Sequence, residues 1–220
     1  MNKNTKLVIF GSSGHAGDVA DIAFDNGYRE IIFLTLDKEI KTFCGFPVMI
    51  DTFQIVSRLQ KDNCSFAIGV GDPKVRELIF NKYSSLNYPN LVHSTSTYGN
   101  LQNDDILQCR GVIISAGSRI TNNVLIGDFC FLGVNSVVGH DCILDEFVSV
   151  MPSVCISGNV HLRKGSYVGC NASIRQGTID KKLIIGRGTT VGMGAVVLDS
   201  IPDNHIATGV PSKSTLLALD

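Results

Sequence analysis

From Ile114 onward an aliphatic residue recurs at every sixth position, through Ile120, Ile126, Leu132, Val138, Leu144, Val150, Ile156, Leu162, Val168 and Ile174. After an 11-residue step the phase resumes at Ile185, Val191 and Val197, which predicts an offset with an exposed loop over Gly177–Leu183, GTIDKKL. Four positions after each aliphatic the residue is usually small or β-branched, as at Ser118, Val124, Cys130, Ser136, Cys142 and Val148. A six-residue period fits neither the 3.6 of an α-helix nor the 2 of a simple strand. It fits short strands joined by tight turns, with three repeats to each triangular coil of a left-handed parallel β-helix and the aliphatic pointing into the prism. Gly often follows the aliphatic directly, as at Gly127, Gly133, Gly139, Gly169, Gly186 and Gly192, and is expected to relieve backbone strain at the corners. Burial of each Val, Leu or Ile stabilises by roughly 1.5–3 kcal/mol, so the stack is expected to be the main source of stability.

The first third has a different texture. Lys6 to Phe10 (KLVIF) reads as a buried strand, followed by the glycine-rich turn GSSGHAG and an amphipathic helix with Val19, Ile22 and Ala23 on one face, stopped by Gly27. Further strands are predicted at Ile31–Leu34 and Phe66–Val70. Asp72 then caps a helix with Pro73 in its first turn and Val75, Leu78 and Ile79 turned inward. The chain therefore divides into an α/β domain with a short parallel, Rossmann-like sheet over residues 1–90 and a β-helix over residues 91–220.

A glycine-rich turn from strand to helix offers free N–H groups at a positive helix end, where phosphate binds. GSSGHAG is G-x-x-G-x-x-G, without the G-x-G of the dinucleotide fingerprint, and Thr35 and Leu36 stand where an acidic residue would meet a ribose, with Asp37 displaced by one. NAD is therefore not expected, and the turn is either an empty one or a cradle from Ser12, Ser13 and Gly14 for a nucleotide diphosphate. With 19 basic and 20 acidic residues the chain has no charge excess to attract nucleic acid or a membrane surface, so its partner is expected to be a small molecule. Seven dispersed cysteines without a C-x-x-C pair argue against disulfides and structural zinc, and the N-terminus lacks a secretory leader, which together point to the cytoplasm.

The segments KLVIFGSSGHAGDVADIA, AIGVGDPKVR, VGHDCILDEFVSVMPSVCISGNV and ATGVPSK together resemble the sugar O- and N-acetyltransferases of the sialic acid and bacillosamine type, over nearly the whole chain. That resemblance implies acetyl-CoA as co-substrate, no metal, a homotrimer, and a nucleotide-linked amino sugar or a sialic acid as acceptor, bound through the front domain. It implies His140 as general base with Asp141 as partner, in Gly139-His140-Asp141-Cys142. A carboxylate raises imidazole basicity and fixes its tautomer, although adjacent strand residues share a side only at a turn. It places Gly158, Gly169 and Cys170 along the pantetheine groove, with backbone N–H groups as donors to the thioester oxygen. Lys213 stands near the CoA nucleotide, where it either meets phosphate or is an ordinary exposed lysine. Ser149 occupies the position of a second histidine that meets acetyl-CoA in the family. Ser12, Ser13, Gly14, His15, Thr35, Leu36, Asp37 and Gly71 are the positions implied for the sugar nucleotide, and Arg76 matches the same third-strand segment as Gly71.

Three other readings use the same features. Cys142 lies two residues from His140, but it falls in the small inward column and is expected to be an inert thiol rather than a nucleophile. A zinc hydratase would need converging imidazoles, and His140, His161 and His205 show no close pairing; His93, His161 and His205 are read as structural. The Ser149 and Thr35 departures would also suit a non-catalytic sugar-nucleotide binder that partners a synthase.

Overall fold

The structure, a computed structural model, describes residues 6–100 and 108–217. Its front part runs β1 (Lys6–Phe10), α1 (Gly14–Asp25), β2 (Glu30–Thr35), β3 (Thr42–Phe43), β4 (Phe46–Ile50), α2 (Phe53–Lys61), β5 (Ser65–Ile68) and α3 (Pro73–Lys82). The sheet order is β3-β4-β2-β1-β5, parallel throughout except for the β3–β4 hairpin at the edge. Central β1 has four of its five residues buried, as a strand covered on both faces must. α1 turns Val19, Ile22 and Ala23 inward, in agreement with its spacing. Asp72 caps α3 by accepting from the N–H groups of Lys74 (2.8 Å) and Val75 (3.3 Å).

The roll of α3 corrects the sequence expectation. Val75 and Leu78 are 39% and 68% exposed, whereas Pro73 and Arg76 are buried. Arg76, only 2% exposed, inserts between the two parts of the molecule with no carboxylate partner among the described residues. Its donors go instead to the carbonyls of Phe129, Val70, Gly71, Phe147 and Val148 and to Ser149 Oγ, at 2.8–3.2 Å. A buried guanidinium is tolerable only when its N–H groups are taken up in this way, and meeting those acceptors fixes which side of α3 faces inward. Burial lowers its pKa to about 10, so it stays charged at neutral pH.

The remainder is the triangular prism, a left-handed parallel β-helix of strands two to four residues long. The first face stacks seven parallel strands from Leu91–Val92 to His205–Thr208, closed by antiparallel Lys213–Leu216. The second runs from Thr97–Tyr98 to Val196–Val197, and the third from Leu125–Ile126 to Leu183–Ile185. Every aliphatic of the six-residue column is at most 5% exposed, and the small residues of the second column are buried beside them. Leu91–Val92 pairs with Ile113–Ile114, so the stack begins before Ile114; the longer step between these rungs breaks the period and hides the first one from a pattern search.

Glycine acts differently from expectation. The left-handed corners lie three residues before each aliphatic, at Asn123, Phe129, Asn135, Asp141, Phe147 and Ser153, with φ of 56–60°. The glycines that follow the aliphatics are needed for space: a Cβ on Gly127, Gly133 or Gly139 would lie 2.6–2.7 Å from backbone of the next coil. The front domain rests on the first face and the corner leading into it. Phe80 of α3 packs on Phe129 at 4.6 Å between ring centroids, and His15 meets the Phe131 ring edge-on at 4.3 Å.

Candidate active site

The corner between the second and third faces carries His140 and Asp141. Because Asp141 adopts φ +60°, its side chain swings to the same side as its neighbour, and His140 Nδ1 lies 2.6 Å from Asp141 Oδ2. Asn123, one coil away, donates to Asp141 Oδ1 at 2.5 Å, and Lys182 from the inserted loop donates to the Asp141 carbonyl. These bonds, that to His140 first, hold the Asp141 carboxyl below its ordinary range. The imidazole lies flat on Gly158, where an added Cβ would come within 2.6 Å of Cε1 and Nε2. With Nδ1 committed to the carboxylate, Nε2 faces outward on a side chain that is 62% exposed. The Gly158 N–H beneath it makes no hydrogen bond among the described residues.

The front domain presents a second site. The N–H groups of Gly14 and His15 open α1 without backbone acceptors among the described residues, while Ser13 O takes those of Ala16 (2.8 Å) and Gly17 (3.3 Å). A cavity of about 450 Å³ opens at the carboxyl ends of β1, β2 and β4, lined by Gly11, Thr35, Leu36, Asp51, Val75, Leu78 and Lys82 among others. The apolar side chains of α3 that were expected in the core form its wall. His15 is half-buried, with Nε2 lacking a partner among the described residues, and burial together with the Arg76 charge lowers its pKa to about 4.

Several expected site residues lie elsewhere. Ser149 is fully buried, accepting from Arg76 Nη1 and donating to the Gly71 carbonyl (both 2.8 Å), so it cannot meet acetyl-CoA from within this chain. Gly169 is buried against the backbone of Gly192 and Met193, and its N–H is spent on Val191 O, 2.8 Å. Cys170 sits half-buried at the corner between the first and second faces, away from His140, and Lys213 is exposed on the closing strand. Asp37 Oδ1 accepts from the Glu39 N–H (2.9 Å), and Thr35 Oγ1 accepts from the Asp37 N–H (3.2 Å). Ser12 is half-buried, Ser13 and Gly14 are exposed, and Gly71 lines a separate cleft with Tyr167 and Thr190. His161 does have a carboxylate partner, Asp145 Oδ1 at 2.9 Å, which comes from the coil below and is invisible in sequence. Cys142 donates to Ser157 O, and burial pushes its thiol up to about 11. Among the described residues no three His, Cys, Asp or Glu side chains gather as a metal site, and no helix is long and apolar enough to cross a membrane.

Residues 6–83 match the PglD N-terminal domain. The fold as a whole superimposes on the acetyltransferase domain of PglB from Neisseria gonorrhoeae with a TM-score of 0.83 and 28% identity, covering 96% of this chain and 100% of that one. The chain is thus similar, in its front domain and in its whole fold, to sugar acetyltransferases of this type. Solved structures at similar distance include perosamine N-acetyltransferase from Caulobacter crescentus, whose histidine-to-asparagine variant is known in complex with CoA and GDP-perosamine. It is 25% identical with a TM-score of 0.83, over 96% of each chain. GDP-perosamine N-acetyltransferase of Escherichia coli O157:H7 is 38% identical over 103 residues, 47% of each chain. The chain spans about half the length, or less, of the curated relatives it matches.

Proposed function

We propose that this protein transfers the acetyl group of acetyl-CoA to the amine of a nucleotide-linked amino sugar, with His140 as general base. The observation that carries this reading is the His140–Asp141 pair at 2.6 Å, held on a prism corner with Nε2 facing outward. Acetyl-CoA supplies the activated acyl group. His140 Nε2 takes the proton from the attacking amine and returns it to the departing sulfur; Asp141 holds the ring in the tautomer that can accept it. The Gly158 N–H is placed to donate to the thioester oxygen as charge develops there. No acyl-enzyme forms, which agrees with a Cys142 thiol held protonated in the core.

The working unit in this reading is a homotrimer in the cytoplasm, where acetyl-CoA is made. The front domain rests on the first face, and His140 stands on the corner opposite that face. A sugar held by one chain is therefore remote from that chain's own base and reaches the His140 of a neighbour. Exposed Leu125 (50%) and Val137 (36%) flank this corner and suit contact with a second copy. Thiol release from acetyl-CoA tests the reading against a panel of nucleotide-linked amino sugars and free sialic acid. Turnover is expected with an amino-sugar nucleotide and its loss in His140→Asn; binding without turnover across the panel would overturn it. A monomer by light scattering would overturn the shared site.

A further inference from the structure

The His140–Asp141 pair is completed by a residue from another rung of the prism. The backbone of Asp141 is fixed from both sides of its corner, its N–H donating to Asn122 O at 3.2 Å and its carbonyl accepting from Lys182 Nζ. The freedom that remains is in the carboxylate, which swivels about Cβ–Cγ when only one oxygen is held. Oδ2 meets His140 Nδ1 at 2.6 Å, and Oδ1 accepts at 2.5 Å from Nδ2 of Asn123, 18 residues earlier and one coil away. With an oxygen held at each end, the group cannot turn without breaking a charge-assisted hydrogen bond. The tautomer of the base depends on that orientation. A carboxylate at Nδ1 keeps the proton there and leaves Nε2 as the acceptor, whereas neutral histidine in water favours the Nε2–H form, which cannot take a proton from an amine.

Asparagine at a prism corner has a second explanation, because it tolerates a left-handed backbone better than most residues. Asn123 (φ 57°) shares that conformation with Asn135, Asn159, Asn171 and Asn204. Backbone preference accounts for the residue type at these corners, but not for an amide turned onto the carboxylate of the next coil. The two explanations separate experimentally. Glycine serves the left-handed corner equally well, so Asn123→Gly removes the amide without straining the chain. Aspartate also accepts the corner and keeps the side chain's size, but turns an acceptor instead of a donor toward Oδ1.

We propose that Asn123 is a positioning residue for the transfer reaction, holding the Asp141 carboxylate so that His140 keeps its proton on Nδ1 and presents an unprotonated Nε2. The inference rests on the acetyltransferase reading for the reaction it serves, but its first readout needs no substrate. Full-length protein with isotope-labelled histidine is compared by nitrogen NMR as wild type, Asn123→Gly and Asn123→Asp, at a pH where the ring is neutral; the His140 signals are assigned by their loss in His140→Asn. Wild type is expected to show the Nδ1–H tautomer, and both variants a shift toward Nε2–H. In thiol-release kinetics Asn123→Gly should lose roughly 10- to 100-fold in kcat, the range for removing a group that orients the partner of a metal-bound histidine. KM for both substrates should stay within about twofold and the melting temperature within about 4 °C. Asn63→Gly, the same change at a left-handed position of the front domain (φ 56°), should move neither readout. An unchanged tautomer, a shifted tautomer with wild-type kcat, or an equal kcat loss in Asn63→Gly would overturn the proposal. So would a kcat loss that arrives with a lower melting temperature and a raised KM, by marking Asn123 as a structural corner only. If Asn123→Gly does not fold, Asn123→Asp carries the same test. A shifted tautomer in a protein whose wild type acetylates no amino-sugar nucleotide would sink the acetyltransferase reading and leave this one; transfer by wild type with an unchanged tautomer in the variants would do the reverse.

Discussion

Gly139 and Gly158 lie on successive rungs of one corner, yet a single methyl group added to each should have opposite effects. In Gly158→Ala the new Cβ would come 2.6 Å from two atoms of the His140 ring, and ordinary contact begins near 3.4 Å. The ring must move by at least about 0.8 Å, and it can do so because it is the exposed end of a side chain. That motion pulls Nδ1 off Asp141 and carries Nε2 away from the attacking amine. Displacements of this size cost on the order of 100-fold, about 2.7 kcal/mol in the barrier. In Gly139→Ala the methyl group instead meets the Gly158 N and Ser157 C at 2.6 Å, backbone that cannot yield. Overpacking there should cost about 1–3 kcal/mol, a melting temperature lower by roughly 5 °C. Thermal melts and thiol-release kinetics on both variants check the contrast: Gly158→Ala should melt like wild type with kcat reduced about 100-fold and KM for the acceptor little changed. If it melts as low as Gly139→Ala, or keeps wild-type kcat, the imidazole does not rest on that glycine.

Ser149→Ala should destabilise by about 1–2 kcal/mol in urea unfolding, because it strips one acceptor from the buried Arg76 and one of the two donors from the Gly71 carbonyl, while KM for acetyl-CoA stays unchanged. A tenfold rise in KM with unaltered stability would restore Ser149 to a ligand site. Cys142→Ala should keep wild-type turnover, since the thiol is buried and held protonated; loss of activity in a folded protein would reinstate a covalent route. His15, with its pKa lowered from 6.5 to about 4, is neutral when folded but binds a proton when unfolded, so its contribution is intact above pH 6.5 and is lost as pH falls toward 4. The loss should reach about 2 kcal/mol by pH 5, and His15→Leu should flatten that limb of the stability profile; an unchanged slope would show that His15 does not titrate this way.

The prism was legible because its signal is additive: fourteen aliphatics at one spacing all point into one core, and each is buried. β1, α1 and the Asp72 cap were legible for a related reason, since each is specified within a few residues. What escaped was set by contacts between distant rungs. The inward face of α3 was misread because Arg76 outranks Val75 and Leu78 only when carbonyls more than fifty residues away are in place. The burial of Ser149 was not legible either, because nothing local reveals that Arg76 fills the space in front of it. Asp51 and Lys82 meet across a helix and a strand 31 residues apart, a pairing that no local pattern encodes. The His140–Asp141 pair was legible as adjacent residues of suitable chemistry, and its geometry depends on a left-handed corner at a position where sequence pattern suggested only a turn.

Two corners of the prism are occupied by phenylalanine, Phe129 and Phe147, in a backbone region that bulky residues avoid at a cost of about 1–2 kcal/mol each. Their rings stack at 5.2 Å and 5° and are covered by Phe80 of the preceding domain. Excising residues 1–90 would therefore uncover a greasy, sterically unfavourable ledge along one edge of what remains. Transplanting this prism onto another front end would call for glycine or asparagine at both positions, as most of the other corners already have.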